Sequence, residues 1–132
     1  MPVTIIKRPQ MQANVLPTDE TREYFFQEGC HILELSNDPD DPEVSIARAR
    51  VAPGGTTQWH YLVNTTERYV ILNGEGEVEV ANRTPHAVGA GDVVRIPASC
   101  PQRIRNSGAG DLVFLAICSP RFRVDNYRPG KP

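Results

Sequence analysis

Twelve prolines and ten glycines fall among 132 residues, so a helix breaker or a turn former recurs every few positions. Proline inside a helix removes a hydrogen bond and clashes with the preceding turn, and glycine gives up the most conformational freedom on folding. Little room remains for a helix longer than about three turns. A chain punctuated in this way has to fold from short strands joined by turns.

The segments between the breaks are rich in Val, Ile and aromatic residues. They predict strands at Val3–Lys7, Cys30–Leu35, Val44–Val51, Thr57–Leu62, Tyr69–Leu72, Glu75–Val80, Asp92–Ile96, Gln102–Asn106 and Leu112–Cys118. Alternation is clearest in Glu75-Gly76-Glu77-Val78-Glu79-Val80, where three glutamates share a solvated face and Val78 and Val80 share the other. Asn73-Gly74, just before it, reads as a hairpin turn, and Gly89-Ala90-Gly91-Asp92 opens another turn. Thr18 or Asp19 can cap a short helix, Asp38–Glu43 reads as an acidic surface loop, and Phe122–Pro132 as a strap or a partly disordered end. With no repeat and no linker, residues 1–132 make one all-β domain.

The totals exclude several classes of function. Fourteen basic and 16 acidic residues leave a net charge of −2, which offers no footprint for nucleic acid. No apolar run approaches the roughly 18 residues a membrane span needs. The opening residues lack a charged region followed by a long apolar one, so no secretory signal is expected. Cys30, Cys100 and Cys118 are widely spaced and form no CxxC pair, which suits reduced thiols in a cytoplasmic protein.

Residues two apart in a strand share a face, so Gln58, His60 and Leu62 are expected to point one way and Trp59 and Tyr61 the other. Glu67 follows a turn and leads into a strand expected to pair antiparallel with that of His60. A histidine and a carboxylate converging from one face form part of a transition-metal site. The plainer alternative is a buried histidine and carboxylate satisfied by ordinary hydrogen bonds. Arg48 and Arg50 share a face; turned inward they would clamp a carboxylate or phosphate, turned outward they would lie on the surface. Tyr69 has the parity of Glu67 and is a candidate pocket residue. Cys100, His31 and His86 have no partner visible in the sequence and read as structural or exposed. Catalytic triads, phosphate-binding loops and dinucleotide fingerprints are absent.

Two motifs carry a resemblance. Gly54, His60, Glu67 and Gly74 fit the first cupin motif, with Leu62 where its second histidine stands. Gly91, Pro97 and Asn106 fit the second, with Ser99 at its glycine and Gln102 at its histidine. The chain therefore resembles the cupins over residues 54–106, and the resemblance implies a double-stranded β-helix, or jelly-roll barrel. Its metal ligands would fall on His60, Leu62, Glu67 and Gln102. Leu62 cannot ligate, Gln102 offers only an amide oxygen, and Gln58 is a candidate replacement.

An altered set of this kind would hold metal roughly 10²–10⁴-fold more weakly, taking 10–100-fold for each changed group. The implied cofactor is a divalent transition metal (Zn, Fe, Mn or Ni), and the implied activity is that of a dioxygenase, decarboxylase or isomerase. The substrate would be a small carboxylate, carbonyl or sugar compound. His60, Glu67 and Tyr69 are the catalytic candidates, with Leu62, Tyr69, Arg48 and Arg50 as candidate pocket residues. Two alternatives stand beside this reading: a non-catalytic barrel that binds a small ligand without metal, and a metal-free isomerase with His60 as general base. The resemblance also implies a homodimer, with residues 1–30 at its interface.

Overall fold

A computed structural model describes residues 11–132, and the strand expected at Val3–Lys7 lies outside the described residues. Eleven strands are present among those residues: β1 (Tyr24–Phe26), β2 (Cys30–Ser36), β3 (Ser45–Val51), β4 (His60–Leu62), β5 (Thr66–Asn73), β6 (Glu75–Val80), β7 (His86–Gly89), β8 (Val93–Ile96), β9 (Gln102–Asn106), β10 (Leu112–Ser119) and β11 (Tyr127–Pro129). Helical structure among them is confined to two single 3₁₀ turns, Glu20–Arg22 and Val124–Asn126. Asp19 caps the first by accepting from the Thr21 amide at 3.1 Å. No helix among the described residues is long and apolar enough to cross a membrane.

The strands form two antiparallel sheets. One has the order β1-β2-β3-β10-β5-β8 and the other β11-β4-β9-β6-β7. Strict alternation fixes what faces inward. On β5, Glu67, Tyr69 and Ile71 are buried, while Thr66, Arg68 and Val70 turn out. On β9, Gln102, Ile104 and Asn106 are buried. Val51, Ile71, Ile96, Ile104, Leu112 and Phe114 from both sheets close the apolar core.

Four local expectations are corrected. The strand predicted at Thr57–Leu62 begins only at His60. The Thr57 amide bonds the Ile104 carbonyl and the Gln58 amide bonds the Glu28 carbonyl, so the backbone leaves the ladder there. Thr57 and His60 are both buried while Gln58 is exposed, so the two-residue parity does not hold across the stretch.

The strands of His60 and Glu67 do not pair. β4 lies between β11 and β9, and β5 between β10 and β8, so His60 and Glu67 face each other from opposite sheets. Asn73-Gly74 likewise joins strands of different sheets rather than a hairpin. Gly74 has φ +88° and a Cβ there would stand 2.5 Å from the Asp111 carbonyl oxygen, so the crossing admits no side chain.

The last residue of the second motif is structural. Asn106 donates to the carbonyls of Val51 and Gly110, both at 2.8 Å, and accepts from the Gly108 amide at 2.9 Å. Arg48 and Arg50 lie on the outer face of β3, opposite Ser45, Ala49 and Val51. Arg48 reaches Glu20 at 2.8 Å and Arg50 reaches Glu23 at 2.6 Å, which ties the segment before β1 to the sheet. The two arginines are therefore not pocket residues. On the other sheet Arg103 pairs with Glu79 and Arg105 with Glu77, so the glutamates of β6 are an outer face as expected.

Candidate active site

A cavity opens between the sheets at the end where β1, β4 and β11 meet. About 50 Å³ of it is free to the centres of water-sized molecules, within about 580 Å³ of empty space that includes the open mouth. His60, Glu67, Leu62 and Tyr69 line it, as does Glu28, which the motifs do not mark. Glu28 lies in the turn between β1 and β2, where Gly29 adopts φ +102° and the glutamate is brought back over the barrel. A carboxylate followed by glycine at the mouth of a strand is the only signal of it in the sequence.

His60 is buried, with Nε2 3.0 Å from Glu28 Oε2 and Nδ1 2.7 Å from the Gln58 carbonyl oxygen. A backbone carbonyl can only accept, so Nδ1 carries a proton. Burial works against charge on both partners. Their mutual hydrogen bond and charge outweigh it, so His60 lies above the usual imidazole range and Glu28 below the usual carboxylate range. Both shifts run toward an imidazolium–carboxylate pair. The Cys30 thiol adds a hydrogen bond to the other Glu28 oxygen at 2.9 Å, and burial keeps that thiol protonated. Tyr127, brought in by the β11–β4 pairing, stacks on His60 with centroids 5.3 Å apart and planes 20° apart.

Glu67 has the opposite environment. Gln102 Nε2 donates to its Oε1 at 2.8 Å, and the Gln102 carbonyl in turn accepts from the Tyr69 hydroxyl. The Cys118 thiol lies 3.6 Å from Oε2. Burial, then the negative charge of Glu28, push the Glu67 carboxyl up to about 7 against these favourable contacts. One carboxylate of the cavity is held ionised and the other is poised near neutrality, a division found where one group must give and take a proton.

The donors do not fit a divalent metal. His60 keeps Nδ1 on the Gln58 carbonyl and turns Nε2 to Glu28 at 3.0 Å, so a cation could reach Nε2 only by displacing its proton and its pairing with Glu28. Gln102 turns its N–H to Glu67 and its oxygen to Tyr69, and Leu62 is apolar. Gln58, the expected replacement ligand, is exposed and gives only its backbone carbonyl to His60. Among the described residues no three His, Cys, Asp or Glu side chains are grouped to hold a metal. Cys100 is partly buried with its thiol 3.6 Å from the Pro101 carbonyl, and His86 is exposed, so neither joins the cavity.

Residues 47–118 match the cupin domain family Cupin_2. Over 106 residues the chain is 31% identical to an uncharacterized protein of Methanocaldococcus jannaschii, covering 79% of this chain and 84% of the relative. A predicted oxalate decarboxylase of Thermotoga maritima has a similar structure, with TM-score 0.68 and 24% identity over 79% of this chain and 98% of that one. So does a single-substitution variant of the Streptomyces protein Pac13 with uridine, with TM-score 0.72 and 18% identity over 90% of this chain and 93% of that one. Two motifs in register, two facing antiparallel sheets and the family match agree: the chain belongs to the cupin family.

Proposed function

We propose that this cupin is a metal-independent acid–base enzyme that moves a proton on a small organic molecule, as an isomerase or a lyase does. The carrying observation is Glu67, whose carboxyl sits near 7 inside the cavity while Glu28, beside it, stays ionised. In the base form Glu67 takes a proton from a substrate carbon and, once protonated, returns it to another carbon or to a leaving oxygen. Gln102, held by Tyr69, fixes the Glu67 carboxylate for this work, so Tyr69 is a positioning residue. His60 holds Glu28 and has no free nitrogen with which to act as the base. Pac13, of like fold, is described as a nucleoside dehydratase, and dehydration is proton-transfer chemistry of this type. At 18% identity that likeness speaks for the fold alone.

The test is proton exchange in heavy water. Small carbonyl and hydroxyl compounds are screened by proton NMR for exchange that the protein accelerates. Glu67→Gln should then lower the rate by roughly 10²-fold or more, while dialysis against a chelator leaves it unchanged. Exchange that survives Glu67→Gln, or that returns only on adding a divalent metal, would overturn the reading.

A further inference from the structure

The charge of the cavity is one-sided. Glu28, Glu34 and Glu67 line it, and among the described residues no arginine or lysine does. The cation that does line it, His60, is already matched by Glu28 at 3.0 Å. No ion pair engages Glu34 or Glu67 among the described residues; Glu34, exposed at the rim, accepts from Asn37 at 3.2 Å and also meets the Tyr24 hydroxyl, and Glu67 accepts from Gln102 and Cys118. Arg48 and Arg50, the nearest candidates in sequence, turn away to Glu20 and Glu23. An anion entering this cavity would meet two carboxylates without a cation partner, and the cation that lines it is already paired.

The outer wall is aromatic. Phe26 packs edge-to-face against Tyr24 at 6.3 Å, Phe122 at 6.3 Å and Tyr127 at 5.2 Å, and all four rings line the cavity. Aromatic faces carry negative charge and attract cations over neutral groups of the same shape. An independent observation points to a ligand. Tyr127 lines the cavity at 6% exposure, and its buried hydroxyl has no partner among the described residues. A buried hydroxyl left unmatched costs about 1–3 kcal/mol, which a ligand N–H or oxygen would recover where the covering side chains give way to it.

We infer that the cavity binds a small organic cation, an ammonium group held between Glu34, Glu67 and the aromatic wall, with Tyr127 completing its hydrogen bonds. This deepens the acid–base reading, on which it rests for the site but not for the chemistry. It replaces the small carboxylate expected from family resemblance with a substrate of opposite charge.

Three probes of matched size separate the possibilities: benzylamine, benzyl alcohol and benzoate, titrated by calorimetry and by backbone amide NMR. At about pH 8 benzylamine is a cation and Glu67, near 7, is ionised. Benzylamine should bind at least about 10-fold more tightly than benzyl alcohol, with benzoate weakest, and shifts should centre on β1, β5 and β11. Glu34→Gln combined with Glu67→Gln should bring the amine-to-alcohol ratio close to one, and Tyr127→Phe should weaken the amine several-fold.

Benzyl alcohol or benzoate binding as tightly as the amine overturns the inference, and so does the absence of shifts in these strands with all three. The probe series uses the unaltered protein, so it decides the matter even if a variant fails to fold. Binding is read without turnover. A failure here therefore leaves the proton exchange of Glu67 standing, and a failed exchange assay leaves the charge preference standing.

Discussion

Glu28 and Glu67 are the same side chain in one cavity, and their neighbours drive them in opposite directions. Glu28 is held ionised by His60 and the Cys30 thiol, whereas burial and the charge of Glu28 raise Glu67 to about 7. Glu28→Gln tests the coupling from the other side. It removes the negative charge that holds the proton on His60, so His60 should titrate lower than in the unaltered protein, read from its imidazole nitrogen shifts. The cost should be about 2 kcal/mol near neutral pH, because an amide still accepts one hydrogen bond but no longer matches a buried charge. An unmoved His60 titration would mean that the charge of Glu28 does not set the proton affinity of Nε2. At this scale the sequence revealed the positions on the strands and concealed the one on a turn. Leu62 and Gln102 stood out because they occupy motif positions with the wrong chemistry. Glu28 has no period or motif to mark it, and its role exists only because Gly29 folds the turn over the barrel mouth.

The last strand shows what an element adds to a site that its sequence does not announce. β11 is three residues long, pairs with β4 through Tyr127↔Leu62, Arg128↔Tyr61 and Pro129↔His60, and so sets Tyr127 on His60. Beyond it the Gly130 amide bonds the Trp59 carbonyl at 2.7 Å, and Lys131 lies 4.1 Å over the Trp59 ring. Removing residues 127–132 takes away one buried aromatic side chain and the edge pairing of β4. The expected loss is about 3 kcal/mol, or roughly 10 °C in melting temperature, with His60 newly open to solvent. Tyr127→Phe keeps the stack and removes the unmatched buried hydroxyl, so it should melt a few degrees above the unaltered protein, which separates packing from the hydroxyl. A truncated chain that melts unchanged would show the strap to be incidental. Strands of regular alternation, such as Gln102–Asn106, were legible to the residue. Tyr24–Phe26, His86–Gly89 and Tyr127–Pro129 were not, because three or four residues are too few to establish a period.

For the molecule as a whole, the rhythm of proline and glycine pointed to β structure, and the two motifs to the barrel. The division of strands between sheets was beyond reach, since a short turn can either close a hairpin or cross to the facing sheet. That division decides the energetics: because β4 and β5 belong to different sheets, Glu67, Glu28 and His60 meet in the interior, and folding must bury their charges together. The consequence for stability has a definite sign. Glu67 binds its proton more tightly in the folded state, about 7 against 4.5, so its contribution is full below 4.5 and is lost as pH rises to about 7. His60, raised from 6.5, contributes fully below 6.5 and loses that contribution as pH rises through its folded value. Glu28, lowered from 4.5, works the other way, but only as pH falls below 4.5. Between about pH 5 and 8 the contributions of Glu67 and His60 both decline, so the unaltered protein should lose stability across that window, Glu67 accounting for up to about 3 kcal/mol. Glu67→Gln abolishes the carboxyl's share of that loss and leaves His60 in place. Its stability, measured by urea unfolding at fixed pH steps, should decline much less, and the variant should be more stable than the parent at pH 8 though inactive. Parallel curves for the two proteins would mean that Glu67 does not carry the raised proton affinity on which its catalytic role depends.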